Sequence, residues 1–195
     1  MRFPILRFVV LAGSLAIASV PALADNLITN GGFETGDFTG WTVNAGFTVV
    51  VSEPFEGFNA HSGNYFAALG NVGSDGTLAQ TFSDTSGQTY TLSFYLGSDG
   101  GTPNDFSAWI DGTELLSLTD IPSTSGSYDL YSYTFTGTGS DTVTFDDRDD
   151  PGYLALDDVS VSTSTGVTPE PSSLFLLGTG IAGFAGVLRR RLHRA

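Results

Sequence analysis

An alternation of apolar and polar residues with a period of two constrains the fold of this chain more than any other feature. It is clearest in residues 88–97, where one face of an extended chain would carry Tyr90, Leu92, Phe94 and Leu96. Because successive side chains of a strand point to opposite faces, this pattern predicts a β-strand with one buried side. No convincing period of 3.6 residues occurs outside the two terminal segments, so the middle of the chain is predicted to be all-β.

Similar runs recur along the chain and are separated by residues that favour turns. We predict strands at residues 47–52, 65–69, 77–82, 88–97, 106–110, 114–118, 131–135, 143–145 and 153–162. Asp111-Gly112 stands between two of these runs and predicts a hairpin turn, since glycine readily adopts a positive φ. Many short strands with frequent turn residues indicate a β-sandwich or a barrel.

Residues 1–24 have the layout of a secretory signal peptide. Two arginines precede an apolar run at residues 8–20, and Ala22-Leu23-Ala24 has the small-x-small pattern of a cleavage site. We predict cleavage between Ala24 and Asp25. The alternative is an N-terminal membrane helix that is not removed.

Negative charge is concentrated between residues 25 and 168. Of the 21 acidic residues only Glu170 lies outside this range, and of the seven basic residues, all arginines, only Arg148 lies inside it. A surface this acidic repels phosphate groups, so nucleic acid is excluded as a partner. The chain has no cysteine, which excludes disulfides and thiolate metal sites.

The C-terminal segment, residues 169–195, consists of three parts in a fixed order. Pro169-Glu170-Pro171 comes first, an apolar run at residues 172–188 follows, and a basic cluster that begins with Arg189, Arg190 and Arg191 comes last. The apolar run is near the minimum length of a transmembrane helix, and the arginines favour a cytoplasmic end. Residues 163–168 are small and polar, and we predict that they form a flexible spacer.

This segment resembles the PEP-CTERM sorting signal of Gram-negative bacteria. The resemblance implies that the partner is an exosortase, which would cut near Pro169-Glu170-Pro171 while the helix at residues 172–188 holds the chain in the inner membrane. The mature protein would then reach the cell surface or the extracellular matrix. The alternative is a plain C-terminal membrane anchor without processing.

The two ends of the middle region also carry a resemblance. Residues 26–34, which end in Gly31-Gly32-Phe33-Glu34, and residues 152–161, which contain Asp157-Asp158, resemble jelly-roll modules of the galactose-binding-like superfamily. Many of these are carbohydrate-binding modules. The resemblance covers residues 25–162 and implies a jelly-roll β-sandwich.

In the jelly-roll modules that this region resembles, a structural calcium ion joins the first strand region to the last. The matching positions are Glu34 with Asp157 or Asp158, and backbone oxygens of residues 61–64 would complete the shell. Ca²⁺ is bound by six to eight oxygen atoms, typically from carboxylates and loop carbonyls. The alternative is that these acids are solvated turn residues.

A second acidic cluster occupies residues 146–150, just before the last predicted strand. Its carboxylates would either pair with Arg148 or bind another cation. Exposed ion pairs contribute little to stability, and a run of charges is usually a solvated loop. The sequence therefore favours a solvated loop at this position.

Sugar binding requires exposed aromatic rings together with polar groups that fix the orientation of the ligand. The candidates for glycan contact are Trp109, Phe58 and Tyr153, each of which has core or loop packing as the more common role. Alternation places Trp109 on the face opposite to Phe106, Ala108 and Ile110, so it is predicted to face outward. Trp41 is predicted to lie in the core.

The sequence offers little for catalysis, because it has no lysine and no motif around His61 that would form a catalytic set. We therefore predict that the chain is not an enzyme. The function that we infer is that of an exported surface or matrix protein with a structural or adhesive role in exopolysaccharide or biofilm. The alternative is a non-catalytic carbohydrate-binding module that recognises envelope or matrix polysaccharide.

Overall fold

The computed structural model describes residues 25–52 and 54–164, and this part of the chain forms ten β-strands and no α-helix. The strands are β1 (Thr42–Asn44), β2 (Thr48–Ser52), β3 (Tyr65–Leu69), β4 (Gly76–Ser83), β5 (Thr89–Ser98), β6 (Asn104–Ile110), β7 (Thr113–Thr119), β8 (Asp129–Thr136), β9 (Ser140–Asp149) and β10 (Leu154–Thr163). Among the described residues there is no helix long and apolar enough to cross a membrane.

The strands form two five-stranded sheets that pack face to face. Sheet A has the order β1-β4-β9-β6-β7, sheet B has the order β2-β3-β10-β5-β8, and all neighbours in both sheets are antiparallel. Non-consecutive neighbours such as β4 and β9 show that the chain crosses repeatedly between the sheets. The predicted jelly-roll β-sandwich is thereby confirmed.

The core lies between the inner faces of the sheets, where the alternation of the sequence places its apolar residues. Phe94 of β5, Phe106 of β6 and Phe145 of β9 meet at its centre, with ring centroids 5.1–5.6 Å apart. Trp41 is 8% exposed and packs against Phe145, so its predicted core position is confirmed. Burial of each large apolar side chain stabilises the fold by roughly 1.5–3 kcal/mol.

The outer faces of the two sheets differ. The chain between β2 and β3 folds back over sheet B, where Phe58 packs on Phe66, Ala68 and Ala155 in a second, small apolar cluster. The outer face of sheet A is polar and carries mainly threonine, serine and charged side chains between the buried positions. Among residues 25–52 and 54–164, apolar residues of a covering segment therefore pack on the outer side of sheet B but not of sheet A.

Two features of the strands differ from the sequence-based prediction. The three residues of β1 are all exposed, so no apolar alternation marked them as a strand. The second difference is that β9 extends to Asp149, and the acids at residues 146–149 are strand residues, not a solvated loop. This prediction is wrong because the alternation continues through aspartates, with Asp147 and Asp149 at buried positions.

Several sequence-based predictions fall on residues that lie outside the described part of the chain. These are the signal peptide at residues 1–24 with Ala24, most of the spacer, the sorting residues Pro169, Glu170, Pro171, Arg189, Arg190 and Arg191, and the helix at residues 172–188. Asp25, on the other side of the predicted cleavage, is the first described residue and is exposed.

Candidate functional site

The structure brings together the three acids that the sequence proposed as calcium ligands. Asp157 lies on β10 with 0% of its surface exposed, and its carboxylate accepts N–H groups from the loop before β3. Oδ2 accepts from His61 at 2.8 Å and from Ser62 at 3.2 Å, and Oδ1 accepts from Asp158 at 2.7 Å. The last strand is thus joined to the loop at residues 61–64.

Glu34 and Asp158 also bind the loop at residues 61–64. Oε1 of Glu34 accepts the N–H groups of Asn64 at 2.8 Å and Tyr65 at 2.9 Å. Asp158 contacts Nδ1 of His61 at 2.6 Å and accepts the Ser62 hydroxyl at 2.7 Å. Together with Asp157 these residues define the carboxylate cluster, as it is called below.

The carboxylate cluster carries unbalanced negative charge. Burial, and then the nearby charge of Asp158, raise the pKa of Asp157 to about 7. The carboxylates of Asp157 and Asp158 converge on Gly32, where a Cβ atom would lie 3.4 Å from Oδ1 of Asp158 and 3.7 Å from Oδ1 of Asp157.

A hard cation fits the carboxylate cluster by the chemistry of its donors, because carboxylate oxygens are preferred ligands of Ca²⁺. The contacts of the loop with these acids are made by its N–H groups, whereas the sequence led us to expect backbone oxygens. Within residues 25–52 and 54–164, no group of three or more histidine, aspartate or glutamate side chains has the geometry of a metal site.

The second acidic segment has a different role from the one that the sequence favoured. Arg148 and Asp150 form an ion pair, in which Nε of Arg148 donates to Oδ2 of Asp150 at 2.8 Å. Asp147 and Asp149 instead point into the sandwich and are 0% exposed. Burial is the main cause that raises the pKa of Asp147 to about 6 and that of Asp149 to about 7.

The three aromatic residues proposed for glycan contact lie in different environments. Trp109 is half-buried on the outer face of β6, as predicted, and its Nε1 donates to Oγ of Ser107 at 2.9 Å. Phe58 is 2% exposed, so it presents no ring face to a ligand, and its assignment as a glycan contact is corrected. Tyr153 is partly buried and packs edge-on against Phe55 at 5.0 Å.

A cleft of about 480 Å³ opens between β7, at the edge of sheet A, and β8, at the edge of sheet B. Tyr131 of β8 lines the cleft, and its ring stacks on Phe94 of the core at 5.5 Å. The remaining lining residues are Leu118, Ile121 and Pro122, the hydroxyl residues Thr119, Ser123, Thr124 and Ser127, and Asp129. The volume lies in the usual range of small-molecule sites.

The sequence did not single out this cleft. Tyr131 belongs to an alternating run with Tyr133 and Phe135, which marks a strand face turned to the core. One feature of the sequence could have indicated the cleft, namely a tyrosine at an inward position. A tyrosine hydroxyl needs a polar neighbour or solvent, so an inward tyrosine suggests that this part of the face is open. Only the pairing order, which makes both β7 and β8 edge strands, shows that this inward face is open.

The C-terminal segment matches a known sorting signal. Residues 167–191 match the model of the PEP-CTERM protein-sorting motif. This match confirms the resemblance that Pro169-Glu170-Pro171, the apolar run and the arginine cluster indicated.

One curated relative is Exochitinase 1 of Streptomyces olivaceoviridis, which is 32% identical over 174 residues. The alignment covers 83% of this chain and 26% of the exochitinase, so the chain spans about a quarter of the length of that protein.

Solved structures of carbohydrate-binding modules share the fold of the described domain. TmCBM61, determined in complex with β-1,4-galactotriose, has a TM-score of 0.55 at 22% identity over 72% of this chain and 100% of its own. The CBM22-1 xylan-binding domain of Paenibacillus barcinonensis Xyn10C has a TM-score of 0.52 at 16% identity, over 74% and 97% of the two chains. At these identities the likeness shows the fold alone. The chain therefore combines a jelly-roll β-sandwich with a PEP-CTERM sorting motif, and this motif implies an exported protein.

Proposed function

We propose that this chain is an exported, non-catalytic protein that binds polysaccharide in the cleft between β7 and β8. The observation that carries the proposal is the composition of this cleft, which combines one aromatic ring, an aliphatic wall and several hydroxyl groups. Such a lining suits a sugar, because a ring face can pack on Tyr131 while hydroxyl groups and Asp129 bind the hydroxyls of the ligand.

The cleft is better suited to binding than to cleavage. Glycoside hydrolysis by the usual mechanisms requires a pair of carboxyl groups on either side of the scissile bond. Among the described residues that line the cleft, Asp129 is the only acid. TmCBM61 binds β-1,4-galactotriose and the CBM22-1 domain binds xylan, which supports a β-linked polysaccharide as the ligand.

The sorting motif suggests where the protein would bind polysaccharide. We propose that an exosortase processes the chain near Pro169-Glu170-Pro171 and that the mature protein remains at the cell surface or in the matrix of a Gram-negative bacterium. There the domain would bind exopolysaccharide and have a structural or adhesive role in biofilm. An acidic domain of this kind would remain soluble among neutral glycans.

Calcium is the cofactor that we propose for the carboxylate cluster. Glu34, Asp157 and Asp158 would hold the ion, and its charge would stabilise the Asp157 carboxylate, whose pKa is raised by burial and then by the charge of Asp158. Bound calcium would fix the loop at residues 61–64 to the last strand and would take no part in chemistry. Loss of thermal stability on addition of EDTA is the expected result, and an unchanged melting temperature would count against this role.

Affinity gel electrophoresis tests the binding proposal. The full chain is run through gels that contain β-1,4-galactan, xylan or soluble chitin, and it should be retarded by at least one of them. Tyr131→Ala and Asp129→Asn should abolish or weaken retardation, whereas Trp109→Ala, on the outer face of sheet A, should not. Melting curves of each variant show that it is folded.

Three results would overturn parts of the proposal. Unretarded migration in every gel would contradict polysaccharide binding. Loss of retardation in Trp109→Ala but not in the cleft variants would move the site to the outer face of sheet A. Release of reducing ends from any of these polysaccharides would contradict the non-catalytic assignment.

A further inference from the structure

Two chain crossings between the sheets lie side by side at one end of the sandwich. Residues 99–103 connect β5 of sheet B to β6 of sheet A, and residues 150–153 connect β9 of sheet A to β10 of sheet B. The strands that these segments join are paired, with Ser98 opposite Leu154 and Asn104 opposite Asp149. This strand pairing holds residues 99–103 and residues 150–153 next to each other.

Asp149 points into the space between these crossings. Its side chain is 0% exposed, and both of its carboxylate oxygens are buried without a hydrogen-bond partner. A buried carboxylate that lacks partners is unfavourable, and such groups are normally paired or bound to a metal ion. Burial and the charges of Asp99, Asp150 and Asp147 also raise its pKa to about 7.

Asp99 holds a second carboxylate at the same place. Its Oδ1 accepts the N–H of Gly101 at 2.7 Å and its Oδ2 accepts the N–H of Tyr153 at 3.1 Å, so both crossings orient it. These bonds hold the carboxylate of Asp99 next to the unpartnered carboxylate of Asp149. The backbone of the two crossings therefore holds Asp99 close to Asp149 although both side chains are acidic.

Two glycines leave open the space on which these oxygens converge. A Cβ atom on Gly101 would lie 3.1 Å from the carbonyl oxygen of Pro151, 3.2 Å from Oδ1 of Asp149 and 3.2 Å from Oδ1 of Asp99. A Cβ atom on Gly152 would lie 2.3 Å from Oδ2 of Asp99 and 2.9 Å from Oδ1 of Asp149. Three oxygens thus surround one point that no side chain fills.

Arg148, the single basic side chain among the described residues apart from histidine, does not neutralise this pair of acids. It precedes Asp149 on β9, so its side chain points to the outer face of sheet A, where it binds Asp150. The remaining oxygen of Asp150 accepts the N–H of Gly73 at 2.9 Å. The charge between the crossings has no partner of opposite sign in the described part of the chain.

We propose that Asp99, Asp149 and the carbonyl oxygen of Pro151 form a binding site for Ca²⁺, separate from the carboxylate cluster. Calcium fits better than magnesium, because it accepts irregular shells of carboxylate and carbonyl oxygens and bidentate carboxylates, whereas Mg²⁺ demands a near-octahedral shell. The ion supplies the partner that Asp149 lacks and joins the two crossings. Water molecules complete its shell on the side of Asp99, which is partly exposed.

Calorimetric titration of the full chain with CaCl₂, after removal of divalent ions with a chelator, tests this site. Asp149→Asn, Asp99→Asn and Gly101→Ala should each bind one Ca²⁺ fewer per chain than the wild type. Gly101→Ala is the sharpest of these variants, because it keeps every ligand and only fills the space between them. Asp157→Asn removes a proposed ligand of the carboxylate cluster only. Comparing its calcium stoichiometry with that of Asp149→Asn therefore tests the two proposed sites separately.

Matched controls separate the site from general effects of charge and of added volume. Asp105→Asn removes the same charge on the outer face of β6, and Gly46→Ala adds a methyl group whose nearest neighbour would be Oδ1 of Asn71 at 4.0 Å. Both should bind as much calcium as the wild type. If Asp149→Asn and Gly101→Ala also do so, or if the wild type binds no calcium, the proposal is wrong.

Thermal melting gives a second readout, in which the sign of the effect depends on calcium. In chelator, Asp149→Asn should melt at the wild-type temperature or above it, because the substitution removes unbalanced charge. At a calcium concentration a hundredfold above Kd, the wild type should gain roughly 5–10 °C that the variant lacks. A variant that melts below the wild type by the same amount in both buffers would show that Asp149 has only a packing role.

Discussion

Gly63 has a positive φ and lies against Glu34 of the carboxylate cluster. Its replacement by alanine should therefore be unusually destabilising. Its φ is +67°, and a Cβ atom placed on it would lie 2.3 Å from both Cδ and Oε1 of Glu34. Alanine would therefore be strained at this position and would also displace the Glu34 carboxylate. That carboxylate accepts the N–H groups of Asn64 and Tyr65, which would lose their partner.

The cost can be estimated from these two parts. A positive φ costs an alanine roughly 1–2 kcal/mol. Each hydrogen bond to a charged group contributes about 1.5–3 kcal/mol when buried, and we use about 1 kcal/mol because Glu34 is exposed. The sum predicts that Gly63→Ala lowers the free energy of unfolding by about 3–4 kcal/mol.

Gly57 provides the matched control. Its φ is +86°, but a Cβ atom on it would have no neighbour within 4 Å. Gly57→Ala should therefore cost only the backbone strain, about 1–2 kcal/mol. Urea denaturation of both variants in EDTA, followed by tryptophan fluorescence, measures the difference without any contribution from calcium. Equal losses of stability in the two variants would refute the role that we assign to Glu34.

Three further predictions concern the core, the cluster and the tail. Phe145→Ala should lower the free energy of unfolding, measured by urea denaturation, by about 3–5 kcal/mol, because Phe145 is fully buried among aromatic rings. Ser132→Ala, at an exposed position, is the control and should change it by less than about 0.5 kcal/mol. In Asp157→Asn, melting curves should show a smaller calcium-dependent gain in Tm than in the wild type, and an undiminished gain would contradict the cluster as a site. Mass spectrometry of the surface form should find a C-terminus near residues 168–171, and retained arginines would refute processing.

Strand positions were predictable where apolar residues alternate with polar ones. In β5 the predicted face of Tyr90, Leu92, Phe94 and Leu96 is buried, and the hairpin at Asp111-Gly112 joins β6 to β7 as expected. The order of the strands in the sheets was not predictable, because pairing depends on contacts between residues far apart in sequence. The cleft between the two edge strands follows from that order and was therefore missed.

The candidate ligand residues were predicted by resemblance, and the structure adds their geometry. Glu34, Asp157 and Asp158 do lie together, although the loop between them contributes N–H groups. The outer position of Trp109 followed from alternation alone. The burial of Phe58 did not, because it depends on a loop that folds over sheet B, and loop paths are set by tertiary contacts.

The inner face of β9 shows why the burial of acids is informative in this fold. Asp141, Asp147 and Asp149 occupy positions where alternation calls for apolar side chains, and all three are 0% exposed. Asp141 accepts the N–H of Thr138 at 3.2 Å, and Oδ2 of Asp147 accepts Nδ2 of Asn71 at 2.8 Å. Oδ1 of Asp147 also lacks a hydrogen-bond partner, but Asp149 lacks one at both of its oxygens. Asp149 is therefore the aspartate on this face to which the described residues offer no donor at all, and this is why we propose a cation there and not at Asp141 or Asp147.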